Sequence, residues 1–285
     1  MQLTPVTAVG LVVALAGFTL LDRARRARDG RRAADGDAAG ADSAAGGDTA
    51  GAAGVADAAA ARPLDLREHA WKWVVPTALL VVVAAEGNSL ASIGWRVDAP
   101  VRLLQQVGLG VLVLSGLNVL AAPLWARVGD GGESLTVGIG SFASLSVPER
   151  LFVAFTAGAT EETAFHGYAF ERLLSLTGSV PLAGGVAFLA FTFGHLGDTW
   201  DRHAVFRIAQ PALVTTLLYL WFRSLPALIA IHALNDALSL LLADRFAPDV
   251  DEQAASGVDE QTASGVAADA ETGPGAATLD WLRGE

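Results

Sequence analysis

The chain has 285 residues, of which 52% are hydrophobic, and its mean hydropathy is +0.43. This is too apolar for a soluble domain of ordinary composition, so the composition indicates a membrane protein. The formal net charge of -11 disfavours binding to nucleic acid through a basic surface. Because the chain has no cysteine, disulfides, thiolate metal sites and cysteine nucleophiles are excluded.

The composition also indicates a high-salt environment. Asp, Ala, Gly and Val are abundant, and Lys72 is the only lysine. Acidic exposed segments stay hydrated in concentrated salt, which also screens their mutual repulsion. We therefore expect a halophilic protein.

The first predicted element is a membrane anchor at residues 1–22. The apolar run 3–21 is long enough to span a bilayer, and arginines follow it rather than precede it as they would in a signal peptide. Positive charge marks the cytoplasmic end of a span. We therefore predict an uncleaved anchor whose C-terminal end is cytoplasmic.

Two polar segments are predicted to be disordered. Residues 23–70 should form a cytoplasmic linker, because the stretch 30–61 is almost all Ala, Gly, Asp and Arg, with little to bury. Residues 244–285 carry ten acidic residues and should form a solvated tail. Alternating the spans from the first arginine cluster places this tail in the cytoplasm.

Between these segments, residues 71–243 should form the membrane core. Six more apolar runs follow the anchor, at 73–90, 101–125, 151–174, 180–197, 208–222 and 225–243. Each is of a length that suits a membrane helix or a slightly shorter buried one. We predict an all-α fold, a polytopic membrane helix bundle of about seven transmembrane helices in the cell membrane.

Two adjacent carboxylates lie inside the fourth predicted span. Glu161 and Glu162 are about ten residues, or roughly 15 Å of helix rise, from its cytoplasmic end. An ionisable side chain near the bilayer centre costs at least ~2.5 kcal/mol, so each should face a cavity or a partner rather than lipid. Glu162 and His166, four residues apart, share one stripe of the helix.

Two other predicted spans carry polar side chains at helical spacing. Phe191 and His195 are one turn apart in the fifth span. In the seventh, His232, Asn235 and Asp236 share one face within a turn. The three helices are therefore expected to converge on one pocket.

The remaining polar residues of the spans have a structural interpretation. We expect Asn118 and Glu86 to form hydrogen bonds between helices. Glu171 and Arg172, near the exit of their helix, are expected to form an interfacial pair.

The converging residues suit hydrolysis by water confined in an apolar cavity. A glutamate removed from bulk water can act as a general base near neutral pH. Imidazole and amide donors can stabilise the oxyanion that forms when water attacks a peptide carbonyl. No covalent intermediate is needed.

The three patterns resemble the motifs of the CAAX protease and bacteriocin-processing (CPBP) family of intramembrane glutamate endopeptidases, which includes the type II CAAX prenyl proteases. Those motifs are a Glu-Glu-x-x-x-Arg helix, a Phe-x-x-x-His helix and a His-x-x-x-Asn/Asp helix, in the order found here. The resemblance covers roughly residues 149–243. It implies cleavage of a peptide bond in a membrane-associated or lipid-modified, possibly prenylated, CAAX-like substrate.

The resemblance also implies roles for individual residues. Glu161 would activate water with the help of His195. His232 and Asp236 would line the oxyanion side, and Glu162 would support the site. Supporting positions would be Phe191, which shapes the cavity, and His166.

The sequence departs from the motifs at two positions. His166 occupies the arginine position, and its shorter side chain cannot form a bidentate fork to a carboxylate. Asp236, if ionised, would repel an oxyanion unless it is protonated or only orients His232. Asn235 could supply a neutral amide instead, although it lies one residue from the motif position.

Other functional classes remain open. The altered motif is compatible with a catalytically silent membrane scaffold or immunity-type protein. A transporter or proton relay also uses buried Glu and His, but the sequence has no inverted repeat. Glu and His bind Zn²⁺ as well, yet a His-Glu-x-x-His helix is absent, so no metal or other cofactor is expected. The predicted partners are membrane lipid and a peptide or protein substrate.

Overall fold

The computed structural model describes residues 2–43, 66–125, 127, 138–196 and 202–245. Every regular element in these residues is helical, which confirms the predicted all-α fold. The α-helices are α1 (Pro5–Ser43), α2 (Leu66–Ala70), α3 (Val74–Ala85), α4 (Pro100–Trp125), α5 (Val147–Glu162), α6 (Glu171–Thr177), α7 (Val180–Gly194), α8 (Arg202–Phe222) and α9 (Leu225–Leu241). The π-helical segment Thr163–Phe170 joins α5 to α6 without a break. Short 3₁₀ turns lie at Trp71–Trp73, Leu90–Ile93, Phe142–Ser144 and Ala243–Arg245.

Several of these helices are apolar enough to cross a membrane. Three are also long enough, at Pro5–Arg28, Pro100–Trp125 and Ala204–Phe222. Three more are apolar but shorter, at Trp71–Ala85, Val180–Gly194 and Leu225–Leu241. The helix that carries Glu161 and Glu162 is in neither group. The fold is thus that of a membrane helix bundle, while the count of about seven spans stays a prediction.

The outer surface of the bundle is apolar. On α4, Leu104, Leu112, Val119 and Leu120 are each more than 70% exposed. A helix that is hydrophobic on its exposed side as well as its packed side is typical of contact with lipid. The polar side chains at the end of α5 and in the π segment instead point inward, where Glu162 and His166 are fully buried.

The predicted linker and tail lie partly outside the described residues. Helix α1 continues to Ser43, and α2 is helical at Leu66–Ala70, so both ends of the segment 23–70 contain helix. The linker prediction considered only the lack of large side chains to bury, whereas Ala and Arg favour helix locally. Residues 44–65 of the linker and 246–285 of the tail lie outside the described part of the chain.

Three helices of the core begin with the same short sequence pattern. A serine is followed by an apolar residue and a proline at Ser146, Ser179 and Ser224, the residues before α5, α7 and α9. Proline suits the first turn of a helix because no intrahelical bond is lost there. At α5, the backbone N–H of Ser146 donates to Glu149 Oε2 over 2.8 Å, as part of a capping box. The pattern fixes where the three helices start.

Helices α5 and α9 approach each other closely at Gly158. A Cβ placed on Gly158 would lie 2.8 Å from the backbone nitrogen of Ala233 and 2.9 Å from the carbonyl oxygen of Ile229. Only glycine allows this backbone approach, because a side chain would meet atoms that cannot rotate away. The contact brings α9 against the turn of α5 that leads into Glu161 and Glu162.

The π-helical segment follows these two glutamates directly. All eight of its residues are buried. Wider π turns are rare and often occur at functional sites, because the extra residue rotates the side chains that follow. Within this segment, Tyr168 donates a 2.8 Å hydrogen bond to Glu86, which follows α3. The segment thus anchors the central helix at one end of the bundle.

The two predicted interhelical hydrogen bonds are confirmed. The Asn118 amide on α4 donates to Asn235 Oδ1 on α9 over 3.1 Å. Glu86 accepts from Arg172 Nε over 2.9 Å as well as from Tyr168. Both groups are therefore satisfied between helices, as polar groups in a membrane interior require.

The predicted pair of Glu171 with Arg172 is wrong. Arg172 pairs with Glu86 at 2.7 Å, and Glu171 pairs with Arg223 at 2.7 Å. Neighbouring residues on a helix point about 100° apart and do not face each other. Each therefore finds its partner on a different element.

Candidate active site

The predicted site residues come from three helices that meet inside the bundle. Glu161 and Glu162 end α5, His195 follows α7, and His232 and Asp236 lie one turn apart on α9. Their side chains form a connected set of hydrogen bonds and short charge contacts. The convergence predicted from the sequence is therefore present.

Glu162 lies at the centre of this set and is completely buried. Its Oε1 accepts a 2.6 Å hydrogen bond from His232 Nδ1 on α9. Its Oε2 accepts from His166 Nδ1 on the next turn of its own helix. A buried carboxylate with two charge-assisted hydrogen bonds is held in one position. Glu162 thus joins α5, the π segment and α9.

The far side of His166 contacts α8. Its Nε2 lies 2.9 Å from Thr216 Oγ1, and the Thr216 hydroxyl lies 2.8 Å from the carbonyl oxygen of Ala212. When that hydroxyl donates to Ala212, it accepts from His166 Nε2. Both ring nitrogens are then donors, which is the imidazolium form. His166 in this form supplies a positive charge where the CPBP motif has arginine.

On the other side of the set, Asp236 pairs with His232. His232 Nε2 lies 3.3 Å from Asp236 Oδ2, so the imidazole lies between the carboxylates of Glu162 and Asp236. Of the open alternatives for Asp236, this geometry matches the one in which it orients His232. The neighbouring Asn235 points elsewhere, since its amide contacts Asp236 Oδ1 at 3.4 Å and accepts from Asn118.

Glu161 faces a different set of groups. Its Oε2 lies 3.9 Å from His195 Nε2. The opposite ring nitrogen, His195 Nδ1, donates to the carbonyl oxygen of Phe191 over 2.8 Å. This hydrogen bond fixes a proton on Nδ1, so in the neutral ring Nε2 is the acceptor that faces the carboxylate.

The second partner of Glu161 is Lys72, which belongs to none of the three sequence motifs. Lys72 Nζ donates to Glu161 Oε1 over 2.8 Å from the 3₁₀ turn before α3. The next residue, Trp73, donates from Nε1 to Thr156 Oγ1 on α5 over 3.2 Å. The turn is therefore bound to α5 at two points. The feature of the sequence that could have indicated Lys72 is that it is the only lysine among 19 basic residues and lies where an apolar run begins.

Phe191 lines the site beside the histidines. Its ring lies 4.9 Å from the ring of His195, 6.0 Å from that of His232 and 5.4 Å from that of Phe165. It is almost fully buried. Phe191 therefore packs against both imidazoles, while its supporting role stays a prediction.

The formal charges of the set balance when both buried histidines are protonated. Three carboxylates then face three cations: Glu161, Glu162 and Asp236 against Lys72, His166 and His232. Unpaired charges in an apolar interior cost several kcal/mol each, so this balance explains how the bundle retains them. Among the described residues, no group of three or more His, Asp or Glu is arranged to hold a metal ion.

Comparison with known proteins identifies the segment that carries the site. The family model described as type II CAAX prenyl endopeptidase Rce1-like matches residues 143–238. The matched segment begins before α5 and ends after Asp236, so it contains every predicted site residue and excludes Lys72. No curated protein and no solved structure matched the chain. The family points to a membrane-embedded protease, and the match at residues 143–238 agrees with the resemblance to CAAX proteases that the three motifs carry.

Proposed function

We propose that this protein is an intramembrane endopeptidase in which Glu161 activates a water molecule for attack on a peptide bond. The observation that carries the proposal is the 3.9 Å separation of Glu161 Oε2 from His195 Nε2. This is too long for a direct hydrogen bond, yet one water molecule can contact both atoms. A carboxylate and an imidazole that share one water form a general-base pair.

The surroundings of the pair support hydrolysis over a purely structural role. Glu161 is only 6% exposed, and the buried ring of Phe191 adjoins His195. Water held in such a site is separated from bulk solvent, which strengthens every electrostatic contact made to it. Glu162 carries the structural hydrogen bonds, so Glu161 is left for chemistry.

The substrate follows from the family and from the membrane setting. We propose a membrane-associated peptide or protein with a CAAX-like C terminus, such as a prenylated one, held in the cell membrane beside lipid-facing helices. The C-terminal tail of the enzyme would lie in the cytoplasm. The acidic, lysine-poor composition supports an assay in concentrated salt.

The test is proteolysis of a farnesylated peptide that ends in a CAAX sequence, in detergent and concentrated salt. Glu161→Gln should reduce cleavage at least about 100-fold, because a positioned general base contributes at least that much. Arg102→Gln is the matched control, since Arg102 forms an ion pair with Asp98 in which both side chains are more than 60% exposed. It should cleave at the wild-type rate. Equal cleavage by wild type and Glu161→Gln would remove Glu161 from the mechanism, and a chelator should change nothing.

One observation favours the silent-scaffold alternative. The ammonium of Lys72 lies on the proposed base, and an ion pair of this kind weakens a carboxylate as a proton acceptor. A silent protein would fold normally and cleave no peptide of the set, whereas a transporter would move protons across proteoliposomes without cleavage. The same preparation can be tested for both.

A further inference from the structure

We propose that Lys72 is the group that stabilises the oxyanion in this site, and that Asp236 is the reason it is needed. The inference rests on the proposed hydrolysis. Lys72 lies outside the segment that the family model matches and belongs to none of the three motifs. His232 is the residue for which the motifs imply the oxyanion role.

Both ring nitrogens of His232 face carboxylates. Its Nδ1 is 2.6 Å from a carboxylate oxygen of Glu162, and its Nε2 is 3.3 Å from one of Asp236. Ionised carboxylates only accept hydrogen bonds, so Nδ1–H is bound to Glu162, and an oxyanion near Nε2 would have to compete with Asp236. Asp236 therefore turns His232 into one member of a buried ion-pair chain.

The other two polar residues on this face of α9 are also poorly suited to bind an oxyanion. Asp236 carries a negative charge that repels an oxyanion. The amide of Asn235 donates to Asp236 over 3.4 Å and accepts from Asn118 on α4, so it is oriented toward these two groups. An oxyanion formed near Glu161 thus needs a donor from outside α9.

Lys72 is placed to be that donor. Its ammonium carries three hydrogens, and Glu161 Oε1 accepts one of them at 2.8 Å. Glu161 also lies 3.9 Å from His195, so the ammonium adjoins the proposed general-base pair. Because Trp73 anchors the turn to Thr156, the lysine is held against α5.

The role is consistent with the movement of charge in the reaction. Water attacks the peptide carbonyl carbon, a C–O bond forms, the carbonyl electron pair moves to oxygen, and the proton of the water passes to Glu161. Glu161 loses the charge that binds Lys72 at the moment the oxyanion gains one. The hydrogen bond of the ammonium therefore transfers from carboxylate to oxyanion, which stabilises the transition state more than the ground state. When the C–N bond breaks, the proton on Glu161 goes to the leaving amine and Lys72 returns to its carboxylate.

The test is a rescue experiment with the CAAX peptide assay. Lys72→Met should lower kcat about 100-fold, the usual loss for one oxyanion donor, with KM changed less than threefold. Replacing Asp236 by Asn releases His232 and adds a neutral amide donor. The double variant Lys72→Met with Asp236→Asn should therefore regain at least tenfold over Lys72→Met alone. Lys72→Arg keeps the charge and should stay within tenfold of wild type.

The outcomes separate this proposal from the proposed function. If wild type cleaves and Lys72→Met cleaves equally well, the role of Lys72 falls while the hydrolysis stands. If the double variant is as slow as Lys72→Met, the lysine only positions Glu161 and the oxyanion role is overturned. If wild type and Glu161→Gln behave alike, the hydrolysis falls and the role of Lys72 with it. Should Lys72→Met fail to fold, Lys72→Gln, which can still donate to Glu161 but carries no charge, takes its place with the same expected result.

Discussion

His232 on α9 donates a 2.6 Å hydrogen bond from Nδ1 to Oε1 of Glu162 on α5, and this bond joins the two helices. The same carboxylate also binds His166, so its two oxygens connect two imidazoles on different elements. Glu162 is fully buried, whereas Glu161 contacts a lysine that is 34% exposed. The two adjacent glutamates therefore have different tasks, and substitutions should separate them.

The first prediction concerns that separation. Glu162→Gln places an amide N–H against one of two histidine donors and breaks a buried ion pair, which should cost about 3–5 kcal/mol of unfolding free energy. Glu161→Gln should cost much less stability while removing cleavage. Thermal unfolding in detergent, measured beside the peptide assay, checks both. Equal melting temperatures for the two variants would contradict the division of tasks.

The second prediction concerns the close approach of α5 and α9. Gly158→Ala puts a methyl group against backbone atoms of Ala233 and Ile229, so the helices must move apart. We expect a loss of about 1–3 kcal/mol, typical of overpacking, together with reduced cleavage as His232 leaves Glu162. Gly185→Ala on α7 is the matched control, because its added methyl has no atom within 4 Å. It should melt no lower than wild type, and an equal loss in both variants would refute the packing argument.

The sequence predicts which residues face the site better than it predicts what surrounds them. Spacing of three and four residues placed Glu162 with His166 and His232 with Asp236 on common faces, and both pairs are in contact. Helical spacing carries no information about how a helix is rotated against its neighbour. That rotation depends on backbone contacts such as the one at Gly158, which a glycine in a small-residue run does not reveal.

Lys72 and the π turn could not be predicted for a related reason. Lys72 is 89 residues from Glu161, and their contact depends on a turn that packs against α5 far along the chain. The π segment has no signature in hydrophobic periodicity, because all of its residues are buried whichever way the turn is wound. Long-range contacts and local windings of this kind are decided by tertiary packing.

The third prediction concerns pH. Arg150, buried at the start of α5, donates to both oxygens of Asp244, at 2.9 and 2.7 Å, and this holds the pKa of Asp244 below its usual range. Because the pKa is lowered in the folded protein, the pair contributes its full stabilisation at pH values above the ordinary aspartate pKa of about 3.9. This stabilisation is lost as the pH falls through the lowered pKa. The melting temperature of Asp244→Asn should therefore lie below that of wild type at neutral pH.

The gap between the two proteins should close in acid, and melting curves from pH 7 down to pH 3 check this. The control is Asp98→Asn, which removes an ion pair with Arg102 in which both side chains are exposed. Exposed pairs contribute little, so this variant should melt with wild type at every pH. A gap for Asp244→Asn that stays constant into acid would show that the charge of Asp244 is not what stabilises this end of the bundle.

The last prediction asks whether His166 can be exchanged for the arginine of the CPBP motif. His166 is fully buried and meets Thr216 at 2.9 Å, so the longer side chain of His166→Arg should overpack the site and cost about 1–3 kcal/mol. Thr216→Ala alone leaves a buried N–H without its acceptor and should also destabilise the fold. In the double variant the two losses of stability should partly cancel, because alanine at position 216 makes room for a guanidinium that can form two hydrogen bonds to Glu162. Pairing His166→Arg with Thr215→Ala, a buried neighbour whose hydroxyl donates to the carbonyl oxygen of Ala212, should give no rescue. The melting temperatures of the two double variants test this. Purely additive losses in both would mean that Thr216 is not the reason why position 166 holds histidine rather than arginine.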